Sequence, residues 1–391
     1  MGIYAEYIDR QFNFEQLCAE RKAQLTRIAQ IRQRDLLVYA ADIRKGGAPI
    51  SITYEDLLPF FDVLSGLTSR NVDIIIETPG GLGEVTEDIV RALRSKFDSV
   101  AFIVPGTAKS AGTIMVMSGD EILMHPMTSA LGPIDAQLRW QDKVFSAEAF
   151  LKGIERIKDE CLKTNALNRA YIPILQNIHP GELQHAENAL EFATKLVTNW
   201  LATYKFKDWD THSSTGALVT PAEKETRAAE VAKQLCDHSR WLSHGRSIKL
   251  KDLVAMRVRV TDYSQNADLD DAIRRYHTLL QMTFDTNIYK VFESPTGQIY
   301  KMLQQQQRNA PVPSPGGVPP DTKHLVADIN CARCSTPLRL QLNFEPNQPI
   351  QAGCAPYPQT DRVPCGKCGL ELNLSELRAQ AEKIANKQVV T

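Results

Sequence analysis

Short apolar runs alternate with longer amphipathic stretches through the first third of the chain. Continuous runs of about five apolar residues predict buried strands, and apolar residues at helical spacing predict amphipathic helices. The runs that predict strands are 36–40, 72–77, 99–104 and 121–124. The stretches that predict helices are 12–34, 54–67, 84–97 and 110–118. Strands that alternate with helices are typical of βαβ units, so we expect an α/β fold with a mostly parallel, buried sheet.

The pattern becomes helical after the fourth predicted strand. Helical spacing runs from about 147 to 204 with interruptions at Pro173 and Pro180, and it returns over 221–256 and 268–292. This predicts a helical extension that follows the α/β part of the chain.

The last ninety residues differ in composition. A run of four glutamines is followed by a stretch rich in proline and glycine, which is typical of a linker. We therefore expect a helical N-terminal segment at 1–34, a main domain at 35–300, a linker at 301–324, and a small cysteine-bearing module with a final helix at 325–391.

Composition and charge narrow the class of protein. The chain has 391 residues, of which 43% are hydrophobic and 23% charged, as is usual for a soluble globular protein. Lys and Arg total 45 against 46 for Asp and Glu, and this balance argues against a nucleic-acid or membrane-surface partner. No stretch approaches the roughly 18 consecutive apolar residues that a membrane span needs. The N-terminus carries charges where a signal peptide would be apolar, so we expect a cytoplasmic protein.

Four cysteines near the C-terminus form two C-x-x-C pairs, Cys331 with Cys334 and Cys365 with Cys368. Four thiolates at such spacing suit a tetrahedral Zn²⁺ ion and predict a structural zinc ribbon, which we expect to bind a partner protein or a substrate. Four free thiols, or a redox pair, are the alternative. Cys354 is a fifth cysteine that we expect to be a bystander.

Two loops leave the same end of the predicted parallel sheet, where ligands bind in open α/β sheets. The first contains Gly80 and Gly81, whose backbone can approach a ligand closely. The second carries Ser110 at the start of a helix, with Ala111 directly after it. We expect the Ser110 hydroxyl to attack a carbonyl carbon while N–H groups of Gly80, Gly81 and Ala111 form the oxyanion hole. Taken singly, the first loop could be an ordinary turn and Ser110 an ordinary N-cap.

Four segments resemble the serine dehydrogenase proteinase family, a distant relative of the proteolytic subunit of Clp protease in the ClpP/crotonase superfamily. They are 77–82, 103–113, 119–126 and 131–138. The segment from Trp241 to His244 is a looser match to the family's Trp-x-His segment, with one extra residue.

This resemblance implies a ClpP/crotonase-like spiral fold for residues 35–300 and a serine peptidase that forms homo-oligomers and cleaves proteins or peptides. Carried over residue by residue, it implies Ser110 as the nucleophile, Asp135 as the acid and His244 as the base. Related proteases use a Ser–Lys dyad, so Lys152 or Lys158 is an alternative base.

Two other functions remain open from the residues alone. One is a crotonase-type enzyme that acts on acyl-CoA thioesters, and the other is a non-catalytic scaffold whose zinc ribbon binds a partner. Among the histidines outside these motifs, we expect His238 to lie on the surface or on a helix face.

Overall fold

The computed structural model describes residues 2–140, 143–212, 215–303, 322–331 and 334–390. The chain divides into two compact units, Met1–Leu303 and Gln304–Thr391. Most of the predicted linker at 301–324 lies outside the described residues, because residues 304–321 are not among them.

Strands and helices alternate through the first half of the first unit, and helices dominate its second half. The strands are β1 Asp35–Ala41, β2 Asn71–Glu77, β3 Ser99–Val104, β4 Thr107–Ala108, β5 Glu121–Met124, β6 Ala130–Leu131, β7 Gln137–Trp140, β8 Lys143–Ser146, β9 Thr261–Asp262, β10 Ile288–Glu293 and β11 Gln298–Met302. The helices are α1 Ile3–Asp9, α2 Phe14–Arg32, α3 Leu57–Ser65, α4 Gly83–Lys96, α5 Ala111–Met117, α6 Ala147–Thr164, α7 Ile172–Leu175, α8 Pro180–Trp200, α9 Pro221–Cys236, α10 His238–Trp241, α11 Leu250–Ala255 and α12 Ala267–Phe284.

One seven-stranded sheet organises this unit, with the strand order β11-β10-β1-β2-β3-β5-β9. The five strands from β1 to β9 in that order pair in parallel, and β10 and β11 complete one edge as antiparallel strands. The predicted α/β fold with a mostly parallel sheet is therefore confirmed.

Both faces of the sheet are covered by helices. On one face, Leu37 and Tyr39 of β1 belong to the core formed with α3, α4 and α5. On the other face, Val38 and Ala40 belong to the core formed with α2 and α12. Successive residues of a strand point to opposite faces, so a strand that is buried on both sides has to be apolar throughout. This explains the continuous apolar runs of the sequence.

The predicted helix at 268–292 is too long. Helix α12 ends at Phe284, and Ile288–Glu293 forms the strand β10, which pairs antiparallel with β1 from Val38↔Glu293 to Ala41↔Lys290. The reason is tertiary, because this β-branched and aromatic segment supplies the backbone partners that the edge of β1 needs. Its Glu293 carboxylate is fully buried and accepts a hydrogen bond from Arg21 Nε at 2.8 Å.

The second unit contains two small sheets and one helix. Its strands are β12 His324–Asn330, β13 Pro337–Asn343, β14 Ala355–Pro356, β15 Arg362–Pro364 and β16 Glu371–Asn373, and its helix is α13 Ser375–Ala385. The first three strands form one sheet and the last two the other.

Within the described residues, no helix combines the length and the apolar character that crossing a bilayer requires.

Candidate active site

Ser110 lies in a strained turn between β4 and α5. Its backbone has φ +50° and ψ −121°, a conformation that side-chain-bearing residues rarely adopt. An N-cap serine has an extended backbone and accepts a hydrogen bond from the first helical turn, but the Ser110 side chain caps nothing. Within the described part of the chain its hydroxyl has no hydrogen-bond partner. The simple N-cap interpretation is therefore wrong, because the side chain of this half-buried residue makes no capping hydrogen bond.

The two glycines pack tightly, Gly80 against this turn and Gly81 against Ile52. A Cβ atom on Gly80, which has φ +99°, would lie 2.6 Å from Ser110 Cβ and 2.7 Å from the Lys109 carbonyl oxygen. A Cβ on Gly81 would lie 2.3 Å from the carbonyl oxygen of Ile52. Only glycine fits at either position, so the loop after β2 and the serine turn are held in close contact.

The N–H groups around this contact differ in their partners. The Gly80 N–H donates to Thr78 Oγ1 at 3.1 Å. By contrast, the N–H groups of Gly81 and Ala111 donate to no protein group among the described residues. Gly80 therefore has a packing contact with Ser110 and an occupied N–H, while the other two donors remain open.

Asp135 and His244 are joined by a short hydrogen bond. His244 Nδ1 lies 2.7 Å from Asp135 Oδ1, although 109 residues separate them in sequence. The Asp135 carboxylate is completely buried and the His244 side chain is 30% exposed. A buried carboxylate orients an imidazole ring and stabilises its charged form, which is the arrangement that acid–base catalysis by histidine needs.

Two segments cross at this point and bring the pair together. Leu131 and Ile248 exchange backbone hydrogen bonds of 2.9 Å in both directions, four residues from Asp135 and His244 respectively. The amino group of Lys109, next to Ser110, donates to the carbonyl oxygens of Leu131 at 3.0 Å and Arg246 at 2.9 Å. Lys109 thus connects the serine turn to both segments.

Lys109 lies in an unusual environment for a lysine. Burial and the positive charge of Lys249 lower the pKa of Lys109 to about 8. Its amino group points to the carbonyl oxygens of the crossing segments, so its role in this geometry is to position them.

His238 is the site residue that sequence reasoning missed. Its Nδ1 atom lies 3.1 Å from Asp135 Oδ2, which also accepts a hydrogen bond from Gln137 Nε2 at 2.8 Å. We expected a surface or helix-face histidine, but His238 shares the carboxylate with His244. The sequence contained one signal for this contact: His238 lies six residues before His244. A tight turn between two histidines at this spacing can bring both rings to the same carboxylate.

The lysines considered as alternative bases lie on the exposed side of α6. Lys152 forms an ion pair with Glu148 and donates to Ser239 Oγ at 2.8 Å, and its side chain is 58% exposed. Lys158 is 67% exposed and lies 3.7 Å from Glu155. A lysine that serves as a base is usually desolvated, and neither environment provides this.

The structure does not join all three predicted catalytic residues. Asp135 and His244 are in contact, but within the described residues no hydrogen bond links Ser110 to His244. Catalytic hydrogen bonds are often long before substrate binds and tighten in the complex.

The second unit holds a compact group of thiols. The sulfur atoms of Cys331, Cys334, Cys365 and Cys368 all lie within 4.8 Å of one another and could hold a metal ion. Two of the separations are 3.4 Å, between Cys331 and Cys368, and 3.6 Å, between Cys334 and Cys365. In a tetrahedral site with Zn–S bonds of about 2.3 Å the sulfurs lie about 3.8 Å apart, so the group fits zinc. Cys354 is not part of it.

The first unit thus has a mostly parallel sheet covered on both faces and a serine in a strained turn beyond the carboxyl end of β3. The profile of the ClpP-like SDH-type serine proteinase family matches residues 12–207. The chain belongs to this family and is a serine peptidase, as the sequence motifs predicted. This assignment disfavours the acyl-CoA and scaffold alternatives.

The chain is also similar to two proteins of Methanocaldococcus jannaschii. It is 28% identical to "Uncharacterized protein MJ1495" over 214 residues, which cover 52% of this chain and 70% of that protein. It is 29% identical to "Uncharacterized protein MJ0137" over 140 residues, or 35% of this chain and 49% of that protein.

Two solved structures of a membrane-bound stomatin-specific protease, 1510-N, resemble the chain weakly. One, a serine-to-alanine mutant, has 13% identity and a TM-score of 0.31, covering 56% of this chain and 79% of that one. The other, a lysine-to-alanine mutant in complex with a substrate peptide, has 14% identity and a TM-score of 0.32, covering 65% and 83%. At these scores neither structure carries an argument about this chain.

The contact between Gly80 and Ser110 predicts that a methyl group at position 80 lowers the stability of the protein. Gly80→Ala forces the serine turn to move, and we expect the free energy of unfolding to fall by about 1–3 kcal/mol. Gly153→Ala in α6 is the matched control, because a Cβ there has no neighbour within 4 Å. Urea unfolding measures both variants, and equal stability of the two would contradict the contact.

Proposed function

We propose that this serine peptidase works through an acyl-enzyme on Ser110, with His244 as general base, Asp135 as its orienting acid, and the N–H groups of Gly81 and Ala111 as the oxyanion hole. The observation that carries the proposal is the 2.7 Å hydrogen bond between His244 Nδ1 and the buried Asp135 carboxylate. That bond assigns the proton to Nδ1 and leaves Nε2 as the basic atom.

In the first half-reaction, Ser110 Oγ forms a bond to the scissile carbonyl carbon and its proton passes to His244 Nε2. The carbonyl oxygen becomes an oxyanion, which the Gly81 and Ala111 N–H groups stabilise, and each such donor contributes about 3 kcal/mol. The imidazolium then protonates the leaving amine as the C–N bond breaks. In the second half-reaction, water loses a proton to His244 Nε2 and its oxygen bonds to the acyl carbon. The imidazolium then returns the proton to Ser110 Oγ as the C–O ester bond breaks, which releases the carboxylic acid product and restores the serine.

His244 is a better candidate than His238, although both contact Asp135. Lys109 donates to Gly245 O and Arg246 O, so the loop that carries His244 is tied to the residue before Ser110. The His238 backbone N–H instead donates to Glu148 Oε2 at 2.6 Å, which ties that residue to α6. We therefore propose that His238 helps to hold the Asp135 carboxylate in place through its contact with Oδ2.

Gly80 has a different role in this proposal from the one expected from sequence. Its N–H is used by Thr78, so we propose that it contributes close packing against Ser110, and that Gly81 and Ala111 alone donate to the oxyanion.

We also propose that the four-cysteine group binds a structural zinc ion. Cys331, Cys334, Cys365 and Cys368 would hold it, and the ion would stabilise the small second unit, whose core is limited. The closed set of four thiolates leaves no position for a substrate. Recognition of a partner protein by this unit, assembly into a homo-oligomer and a cytoplasmic location stay predictions.

Active-site labelling tests the nucleophile directly. A fluorophosphonate probe should phosphonylate Ser110 in the native chain, with the modified peptide identified by mass spectrometry, because only an activated serine reacts rapidly. Ser110→Ala should abolish the labelling, and Ser65→Ala, an exposed serine on α3, should leave it unchanged. Labelling that persists in Ser110→Ala would refute the proposal.

The two histidines should differ strongly in kcat for hydrolysis of a fluorescent casein. We expect His244→Ala to lower kcat roughly 10⁶-fold, because it removes the base, as in other serine triads. His238→Ala should cost no more than about tenfold, since it removes only a contact to the orienting carboxylate. His185→Ala, an exposed residue of α8, is the control. A larger loss in His238→Ala than in His244→Ala would assign the base to His238.

Metal analysis tests the second unit. We expect one zinc ion per chain, and Cys331→Ser and Cys365→Ser should each lose it, together with the folded signal of this unit, because metal binding supplies its folding free energy. Cys354→Ser is the matched control and should retain the metal. Full zinc content in Cys365→Ser, or its loss in Cys354→Ser, would be inconsistent with the proposed ligand set.

A further inference from the structure

A large cavity opens at the amino-terminal edge of β5, opposite the edge where Ser110 lies. Its volume is about 780 Å³, within the usual range for small-molecule sites. Glu121, the first residue of β5, lines it together with side chains from the segment after α8, from α9 and from the segment after α11. Ser110 follows the carboxyl end of the neighbouring β3, so this cavity belongs to a separate site.

Two of the three carboxylates that line the cavity, those of Asp120 and Glu121, are paired with cations. Asp120 pairs with Arg94 at 2.7 Å and with Lys207 at 2.5 Å. Glu121 pairs with Arg32 at 2.6 Å and accepts a hydrogen bond from Thr261 Oγ1 at 2.7 Å. None of these three cations lines the cavity. Asp208, the third acid of the lining, is exposed and forms no ion pair with another residue that the structure describes. It offsets only part of the positive charge of the basic side chains that line the cavity.

Those basic side chains are numerous and partly unpaired. Lys205, Arg227, Arg257 and Arg259 line the cavity. Arg227 pairs with Glu230 at 2.8 Å, whereas the side chains of Arg257 and Arg259 have no ion pair or hydrogen bond with any other residue that the structure describes. The cavity thus carries excess positive charge, and its free guanidinium groups suit a phosphate, which arginine binds in a bidentate manner.

Lys205 adds a desolvated cation to this group. It ends a π-helical turn, Leu201–Lys205, and its amino group donates to the Asp120 carbonyl oxygen at 3.1 Å. Burial lowers the pKa of Lys205 to about 8; the charge of Glu121 opposes this effect, and the charge of Arg259 adds to it. An anion in the cavity would add to the negative charge that Glu121 provides and would further favour the charged form of Lys205.

One wall of the cavity is aromatic. Trp209 makes edge contacts with Phe206, at 5.9 Å between ring centroids, and with His212, at 5.3 Å. All three rings line the cavity, and the Trp209 side chain is half-buried. A rigid aromatic group beside unpaired cations suits a ligand that combines a planar ring with phosphates.

We propose that this cavity binds a nucleoside polyphosphate, with its phosphates at Arg257, Arg259 and Lys205 and its base against Trp209. The site is independent of the peptidase chemistry, and it carries out no reaction in this proposal.

Isothermal titration of ATP and GTP into the full chain tests the site. At least one of the two should bind, and binding should change the tryptophan fluorescence. Arg257→Gln/Arg259→Gln should weaken the affinity by at least about tenfold, equivalent to about 1.4 kcal/mol. Arg91→Gln, an exposed arginine on α4 that pairs with Glu87, is the matched control and should bind normally. Equal thermal unfolding midpoints of the variants would establish that the loss is local.

Tripolyphosphate, which lacks a ring, separates the two parts of the site. It should bind several-fold more weakly than the nucleotide. Trp209→Leu should lower the affinity for the nucleotide and leave the affinity for tripolyphosphate unchanged. The proposal is overturned by no binding of either nucleotide at about 1 mM, the weak end of specific affinities. It is equally overturned by an undiminished affinity in the double arginine variant, or by tripolyphosphate binding as tightly as the nucleotide. Ser110 labelling is measured in parallel and does not depend on these outcomes.

Discussion

The site depends on one crossing of the chain, where Leu131 and Ile248 exchange two backbone hydrogen bonds. The segment with Leu131 leads to Asp135, and the segment with Ile248 comes from His244. The Lys109 amino group, which donates to Leu131 O and Arg246 O, attaches the serine turn to the same crossing. Three residues far apart in sequence therefore occupy one region because a few directional contacts hold their segments together.

Conformational strain accompanies this arrangement. Ser110 has a positive φ, which costs of order 1–3 kcal/mol, and it persists because the surrounding structure leaves it no alternative. Gly80 packs against its Cβ, and α5, which begins at the next residue, is buried along its whole length. The strain turns the hydroxyl away from the helix terminus that an ordinary N-cap would bind. The fold thus supplies the stability that the reactive geometry requires.

The two edges of the sheet have different chemistry. At the carboxyl edge, open backbone N–H groups lie next to the serine turn, and the buried carboxylates of Glu77 and Asp135 each contact a histidine. At the amino edge, ion pairs satisfy Asp120 and Glu121 and leave arginines in excess around a cavity. Charge is balanced over the whole chain, at 45 basic and 46 acidic residues, so the excess at this edge arises from placement alone. The four-cysteine group of the second unit differs from both edges, because its donors are soft thiolate sulfurs.

Local patterns in the sequence were sufficient to predict the parallel strands, the helices around them, the serine turn with its glycines, and the paired cysteines. Periodicity and short spacings depend on residues that are close in sequence, so these features can be predicted without the fold. The same patterns predict a helix where β10 lies, and this prediction is wrong because β10 depends on its pairing with β1, far away in the sequence. They also predict a surface or helix-face position for His238 and do not indicate its contact with the distant Asp135. No local pattern indicated the occupied N–H of Gly80, the contacts of Lys109 or the basic cavity. Each is a long-range contact or a balance of neighbouring charges, and only the folded chain decides which distant groups meet.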